Sequence, residues 1–251
     1  STAIGTSASG TGKNSTVTGD SATASGSESS AYGFRSTASG ASSTSIGSSS
    51  KATKQGSIAV GYLATADANR SIAIGSGSTA NGSCSMALGW NANATAINAV
   101  SIGHTSNALG INSTAVGTSA QAIANYSSSY GTLANASGLA SMAFGAGANA
   151  NKTGAIAHGV NSIASGANSS TFGTASTATE EDAIAFGHSA AASGLDAIAI
   201  GKSSVASENN STAIGTEAKA TKVNSSAFGD AAEASGNQAT ALGAGALATQ
   251  Q

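Results

Sequence analysis

The sequence contains no proline, a single cysteine and few charged or aromatic residues, and each shortage excludes a class of protein. Charged residues make up 8% of the 251 residues and aromatic residues 4%. Disordered chains are usually rich in charge and proline, so this chain does not have their composition. Cys84 stands alone, which excludes a disulfide framework and a thiolate metal site. With so few large apolar side chains, the chain folds only if its small residues are placed with strict regularity.

The charge pattern and the hydropathy exclude further partners. The net charge is −2 and no Lys/Arg cluster occurs, so a nucleic-acid partner is not expected. No apolar run approaches the roughly 20 residues that a membrane-spanning helix needs, and no signal peptide opens the chain at Ser1. The chain begins and ends within a repeat, so we expect it to be an excised part of a larger protein.

A 14-residue repeat runs through the whole chain. We number each repeat from the glycine of the segment Ala3-Ile4-Gly5, which is position 0, and every fourteenth residue after Gly5 is also glycine. All 18 of these positions are Gly, without insertion or deletion. The predicted turn glycines of the first nine repeats are Gly5, Gly19, Gly33, Gly47, Gly61, Gly75, Gly89, Gly103 and Gly117. This unbroken period predicts a single solenoid domain of 18 repeats over residues 1–251.

Four columns of the repeat hold only small residues. Positions −4 and +3 are always Ser or Ala, and position +5 is Ala except for Gly10 in the first repeat. Position −2 is Ala or another small residue, with Val17 the bulkiest. Alternate residues of a strand face the same side. We therefore predict that these columns fill the interior of each coil, with Ser hydroxyls bonded along the stack or to turn backbone.

The repeat also predicts two short strands and two turns. Positions −4 to 0 and +3 to +6 alternate small with larger residues at period two, which is typical of strands. Position +7 is Gly in nine repeats and is followed by turn-forming residues, so Gly or Asn here would supply positive φ. One repeat is then one coil of an all-β, flattened β-solenoid, stacked on the next through parallel ladders at about 4.8 Å.

Position −1 forms a column of large side chains, which we call the stripe. Sixteen of its 18 residues are apolar or aromatic, and Thr18 and His158 are the exceptions. Because small residues fill the interior, the stripe must point outward and would expose on the order of 1,000 Å², more than a soluble monomer usually shows. We therefore predict an obligate homo-oligomer. Its predicted interface is Ile4, Tyr32, Ile46, Val60, Ile74, Leu88, Ile102, Val116, Tyr130, Phe144, His158, Phe172, Phe186, Ile200, Ile214, Phe228 and Leu242.

Two segments carry a resemblance to a known family. Residues 112–117 (NSTAVG) and 210–215 (NSTAIG) resemble the NSVAIGxxS repeat of trimeric autotransporter adhesin heads of the YadA-like type. The final Ser of that motif falls on position +3, as at Ser36, Ser50 and Ser78. The resemblance covers all 18 repeats. It implies a left-handed parallel β-roll, homotrimeric, displayed at the outer-membrane surface of a Gram-negative bacterium. No neck, stalk or anchor motif is present, so we expect the head alone, with membrane attachment only through an absent anchor.

Few side chains are placed for chemistry. No His and acidic residue are arranged to activate a serine, so we expect no catalytic site, no cofactor and no enzyme. Trp90 and His104 occupy position +1 of adjacent coils and form a possible ligand surface for a sugar or a peptide, with local packing as the alternative. At a threefold axis, three copies of His158 would make a metal or anion site conceivable. A tolerated polar residue is favoured there, so no metal site is predicted.

The resemblance implies a non-enzymatic adhesin head that attaches to host matrix, cells or abiotic surfaces. An ice-binding solenoid is one alternative, but it needs a regular Thr array. Position +4 instead runs through Thr23, Thr37, Lys51 and Thr65 and later includes Ile163, so that array is ragged. A phage fibre or another structural filament is the second alternative, which genomic neighbours or an anchor domain would decide.

Overall fold

The computed structural model describes residues 1–250, which form two compact units of nine coils each. The first unit is Ser1–Tyr126 and the second is Ser127–Gln251, whose final residue lies outside the described part. Every regular element is a strand, and none of the described residues belongs to a helix that could cross a membrane. The prediction of an all-β parallel solenoid is confirmed.

Each coil contains one strand of three residues and one of two. The strands of the first unit are β1 (Thr2–Ile4), β2 (Ser9–Gly10), β3 (Thr16–Thr18), β4 (Thr23–Ala24), β5 (Ser30–Tyr32), β6 (Thr37–Ala38), β7 (Thr44–Ile46), β8 (Lys51–Ala52), β9 (Ile58–Val60), β10 (Thr65–Ala66), β11 (Ile72–Ile74), β12 (Thr79–Ala80), β13 (Met86–Leu88), β14 (Asn93–Ala94), β15 (Val100–Ile102), β16 (Asn107–Ala108), β17 (Thr114–Val116) and β18 (Gln121–Ala122). The strands of the second unit are β19 (Ser128–Tyr130), β20 (Asn135–Ala136), β21 (Met142–Phe144), β22 (Asn149–Ala150), β23 (Ile156–His158), β24 (Ile163–Ala164), β25 (Ser170–Phe172), β26 (Thr177–Ala178), β27 (Ile184–Phe186), β28 (Ala191–Ala192), β29 (Ile198–Ile200), β30 (Val205–Ala206), β31 (Thr212–Ile214), β32 (Lys219–Ala220), β33 (Ser226–Phe228), β34 (Glu233–Ala234), β35 (Thr240–Leu242) and β36 (Leu247–Ala248).

Within each unit, a strand pairs in parallel with the same strand of the next coil. Strand β11 lies beside β13, with Ile74 opposite Leu88, and β12 lies beside β14, with Thr79 opposite Asn93. Partners are always 14 residues apart, so the period seen in the sequence is the register of both ladders. The strands are shorter than predicted, because positions −4, 0 and +3 belong to the turns.

Both turns of a coil are four-residue β-turns. The N–H of position +3 donates to the carbonyl of position 0, as from Ser78 to Gly75 at 3.2 Å. The N–H of position −4 donates to the carbonyl of position +7, as from Ser85 to Gly82 at 3.1 Å. The third residue of each turn, at position +2 or +9, has positive φ, for example 57° at Leu63. These φ signs are those of a type II turn.

The prediction that Gly or Asn supplies positive φ in this turn was wrong for the position +7 glycines, none of which has positive φ, and right for Asn at position +9, as at Asn98 and Asn112. Close stacking of the coils accounts for glycine at position +7 instead. A Cβ added to Gly82 would lie within 3.0 Å of the carbonyl oxygen of Ala96 in the next coil. The predicted turn glycines at position 0 have positive φ and are also closely stacked. From Gly5 to Gly117 their φ lies between 126° and 141°. A Cβ on Gly75 would also lie within 3.0 Å of the Gly89 carbonyl oxygen.

The interior of each unit consists of Ala and Ser, as predicted. Residues at positions −4, −2, +3 and +5 are almost all fully buried, and only those of the terminal coils show appreciable exposure. Val17 and Thr171 are the largest fully buried side chains. Since nothing larger lies between the two sheets, the bulky residues at position −1 have no room inside their own coil.

Interior serines bond mainly within their own coil. A Ser at position +3 donates to the carbonyl of position 0, and Ser78 reaches Gly75 at 2.8 Å. In two coils a pair of serine hydroxyls also bonds across the interior at 2.7 Å: Ser45 with Ser50, and Ser101 with Ser106. Of the two predicted partners for the Ser hydroxyls, the turn backbone is therefore confirmed. Thr171 is an exception, since it donates to Ile156 of the preceding coil at 3.4 Å.

The Ser101–Ser106 pair gives a test of this interior. Ser106→Ala removes the partner of the buried Ser101 hydroxyl, and we expect it to cost about 1–3 kcal/mol. Ser101→Ala/Ser106→Ala supplies the Ala that other coils carry in both columns, so we expect stability close to that of the unchanged chain. Amide hydrogen exchange in the coil that contains residues 101–106 measures this in the three proteins. A double variant that loses the sum of the single losses would contradict it.

Candidate functional site

The stripe lies on the outer surface of the three-residue strands, and no residue of the predicted interface is buried within its own chain. In the first unit four of them are exposed and four are half-buried, and Ile74 is 42% exposed. The exposed members in the two units are Ile4, Tyr32, Ile46, Ile74, Tyr130, His158, Phe172, Phe186, Ile200, Ile214 and Leu242. The half-buried members are Val60, Leu88, Ile102, Val116, Phe144 and Phe228. The outward direction is therefore established, and the burial of the stripe against further copies stays a prediction.

Position −3 widens the stripe in the first unit. Ile58, Ile72, Met86 and Val100 occupy this position in four successive coils and are half-buried. They share the outer face of the sheet with the stripe, because only position −2 of each strand points inward. This part of the first unit is therefore apolar on both outward-facing columns.

In the second unit the stripe becomes a continuous row of rings. Tyr130 and Phe144 stack with their centroids 4.8 Å apart and their planes 7° apart. His158 contacts Phe144 and Phe172 edge-on, at 5.9 and 5.6 Å, and Phe172 contacts Phe186 at 5.8 Å. His158 was expected to interrupt the apolar stripe, but its ring continues the row.

The surroundings of His158 are apolar. The depression beside it, of about 250 Å³, is also lined by Met142, Phe144, Ile156 and Phe172. Among residues 1–250 there is no cluster of three or more His, Cys, Asp or Glu side chains that could hold a metal ion. One chain therefore contributes a single imidazole at this place, surrounded by aromatic and aliphatic carbon.

The predicted ligand surface also forms a stack. The rings of Trp90 and His104 lie 4.6 Å apart with their planes 17° apart, and both side chains are exposed. Position +1 carries two further exposed aromatic residues, Phe34 and Tyr62, which the sequence reasoning missed. They occupy alternate coils of the same column as Trp90, and that two-coil spacing was the available signal.

The opposite sheet presents a mostly polar surface at positions +4 and +6, although Leu109, Ile123 and Ile163 are exposed there. Asn93 donates to Asn107 in the next coil at 3.5 Å. The exposed Lys51 separates Thr37 from Thr65, so the Thr row at position +4 is interrupted in the structure as it is in the sequence.

Comparison with known proteins identifies the repeat. The chain matches the family described as the YadA head domain repeat (2 copies) at residues 11–36, 24–50, 38–64, 52–78, 66–92, 80–106, 108–134, 136–162, 157–179, 164–190, 178–204, 192–218 and 220–246. No curated protein sequence matches the chain. A solved structure titled as the collagen-binding domain of Yersinia adhesin YadA is similar, with 24% sequence identity over 70% of this chain and 68% of that chain, and a TM-score of 0.32.

Proposed function

Because this chain belongs to the family of YadA head domain repeats, we propose that it is a bacterial adhesin head that works by surface contact and not by catalysis. The observation that carries the proposal is the family match, which recurs through both units from residue 11 to residue 246. The parallel solenoid supports it, because a stack of equivalent coils presents long, regular surfaces to a partner.

The assembly that we propose is a homotrimer held together by the stripe. Apolar residues follow one another in successive coils of each unit and stay exposed in the single chain, as at Ile46 and Ile200. Patches of this length mark interaction surfaces in soluble proteins. A column that repeats every 14 residues can pack against the same column of another chain in register. Further copies of the chain are therefore the simplest partners that would bury the stripe.

The targets that we propose are extracellular matrix, host cell surfaces or abiotic surfaces, reached from the outer surface of a Gram-negative cell. The variable turn positions support this assignment. Position +1 alone includes Phe34, Tyr62, Trp90, Lys202 and Asp230, while position 0 stays Gly and position +3 stays Ala or Ser. Variation confined to the outward turns changes the ligand surface without disturbing the coil.

Adhesion is tested directly with the folded chain. We expect saturable attachment to at least one member of a panel of matrix proteins, cultured cells and plain glass or polystyrene. The heat-unfolded chain serves as a control for non-specific adsorption. Thermal hysteresis is measured on the same preparation, because an ice-binding solenoid would show it. Hysteresis, or a folded protein that attaches to no member of the panel, would contradict the adhesin assignment.

A further inference from the structure

Tyr62 and Trp90 occupy position +1 on either side of a coil that has only a small side chain there, and we call the space between them the slot. The two residues are two coils apart, which corresponds to roughly 9.6 Å at the ladder spacing. The intervening coil carries Ser76 at this position, followed by Gly77. Both aromatic side chains are at least half exposed, at 57% and 50%. The column therefore carries a small side chain where the coils on either side carry rings, and the slot is the space above Ser76.

The orientation of Trp90 makes its free face a wall of this slot. Its ring stacks on His104 of the following coil at 4.6 Å and 17°, so its plane lies across the direction of stacking. His104 covers the face that is turned toward that coil. The opposite face is turned toward Ser76 and, beyond it, Tyr62. A group that enters from solvent would thus lie flat against the indole.

The floor and side of the slot are polar and carry no charge. Ser76 is half-buried and offers a hydroxyl. The carboxamide of Asn91 lies against Gly77, where any Cβ would collide with it. Tyr62, Ser76, Trp90 and Asn91 are all uncharged side chains, so the slot is complementary to a neutral ligand that has hydroxyl groups at its edge.

The placement of the aromatic residues supports a binding role. The chain has one Trp, four Tyr and five Phe, and six of these ten belong to the stripe. Of the other four, Phe34, Tyr62 and Trp90 share one column at two-coil spacing. The guanidinium of Arg35 lies 4.7 Å from the Phe34 ring centroid, so that ring already has an internal partner. The slot over Ser76 is left as the open one.

We propose that this slot binds a hexose ring of a neutral glycan, an inference that rests on the adhesin function proposed above. A ring midway between Tyr62 and Trp90 lies about 4.8 Å from each, close to the spacing of the Trp90–His104 stack. The C–H faces of the sugar pack against the aromatic walls. Its hydroxyls bond to Ser76 and Asn91. A proline ring or an alkylammonium group would leave both polar groups unused, and the slot has no carboxylate for a cation.

Three variants test the slot against an array of neutral oligosaccharides, followed by titration of the strongest binder. Trp90→Ala removes a wall, and Ser76→Phe fills the slot with a ring. We expect each to weaken binding by about tenfold or more, the effect of losing one aromatic contact with its buried area. Thr216→Phe is the matched control, because it adds the same ring at an exposed position +1 of the second unit. We expect it to bind like the unchanged chain.

The outcomes separate this proposal from the adhesin function. The slot proposal fails if no glycan binds the folded chain, or if Ser76→Phe binds as well as the unchanged chain. It also fails if a proline-rich peptide or choline-bearing vesicles take the slot instead, or if Trp90→Ala changes the mass of the assembly, which would make the slot part of an interface between copies. If Ser76→Phe loses glycan binding and the unchanged chain still attaches to nothing on the adhesion panel, the slot stands and the adhesin function falls.

Discussion

Gly75→Ala is expected to destabilise the first unit by roughly 2–6 kcal/mol, the sum of two separate costs. The first is conformational, because Gly75 has a φ of 130°, a region that residues with a Cβ rarely adopt. The second is steric, because the new Cβ would lie within 3.0 Å of the Gly89 carbonyl oxygen. That oxygen belongs to backbone fixed in a ladder, so it cannot move aside as a flexible side chain would.

Two control variants separate these costs. Gly243 has a φ of 118°, but no heavy atom lies within 4 Å of the position where its Cβ would be, so Gly243→Ala reports the conformational cost alone. A terminal coil frays more readily than an internal one. Gly56→Ala is therefore added inside the first unit, where φ is 64° and the nearest neighbour is the Arg70 side chain at 3.7 Å. We expect both controls to lose about 1–3 kcal/mol or less.

The measurement is amide hydrogen exchange in the coils around each substitution, together with thermal unfolding. Solenoids do not unfold in one all-or-none step, so a single melting temperature does not report a local defect. The protection of the Gly89 amide, which donates to Ile74 at 2.8 Å, should fall in Gly75→Ala. Equal losses in Gly75→Ala and Gly243→Ala would mean that close stacking contributes nothing to the glycine column.

The interior and the outward stripe could be predicted from sequence, because a strict period samples each environment 18 times. A column that never exceeds the size of Val17 describes a space that admits nothing larger. Ser–backbone bonds were also foreseen in kind, since a buried hydroxyl needs an acceptor and the turn carbonyls are the nearest. The pairing of Ser101 with Ser106 was not foreseen, because it needs the distance across the coil.

The left-handed turn residues could not be placed from glycine alone. Leu63, Cys84 and Tyr126 have φ between 57° and 60°. Their residue types do not predict a positive φ. The ladders on either side fix where each turn begins and ends, and this constraint overrides the local preference of the residue. Asn at position +9, as in Asn98 and Asn112, was the part of the turn prediction that the structure confirms.

The candidate ligand surface was only partly predictable. Adjacency in one column predicted that Trp90 and His104 would meet, and they stack. Tyr62 has no aromatic neighbour at position +1 of either adjacent coil, and its relation to Trp90 spans two coils. The free face of Trp90 depends on a rotamer, which no periodic pattern specifies.

Ile74→Asp is expected to dissociate the assembly while leaving each chain folded. In the single chain Ile74 is 42% exposed, so a carboxylate there stays hydrated and the coil loses little stability. Its ladder neighbours are Val60 and Leu88, which gain no clash from the smaller side chain. In a trimer sealed by the stripe, the same carboxylate would be buried among apolar groups without a partner. That burial costs several kcal/mol for each copy.

The matched control is Thr79→Asp on the opposite sheet of the same coil. Thr79 is half-buried at position +4, between Thr65 and Asn93. Its substitution by Asp adds the same charge to a polar face. Sedimentation at micromolar concentration should give a trimer for the unchanged chain and for Thr79→Asp, and a monomer for Ile74→Asp with an intact β-sheet spectrum. Ile74→Asn, which is close in size to Asp but uncharged, should weaken assembly less. A trimeric Ile74→Asp, or equal dissociation by the two acidic variants, would show that the stripe is not the interface.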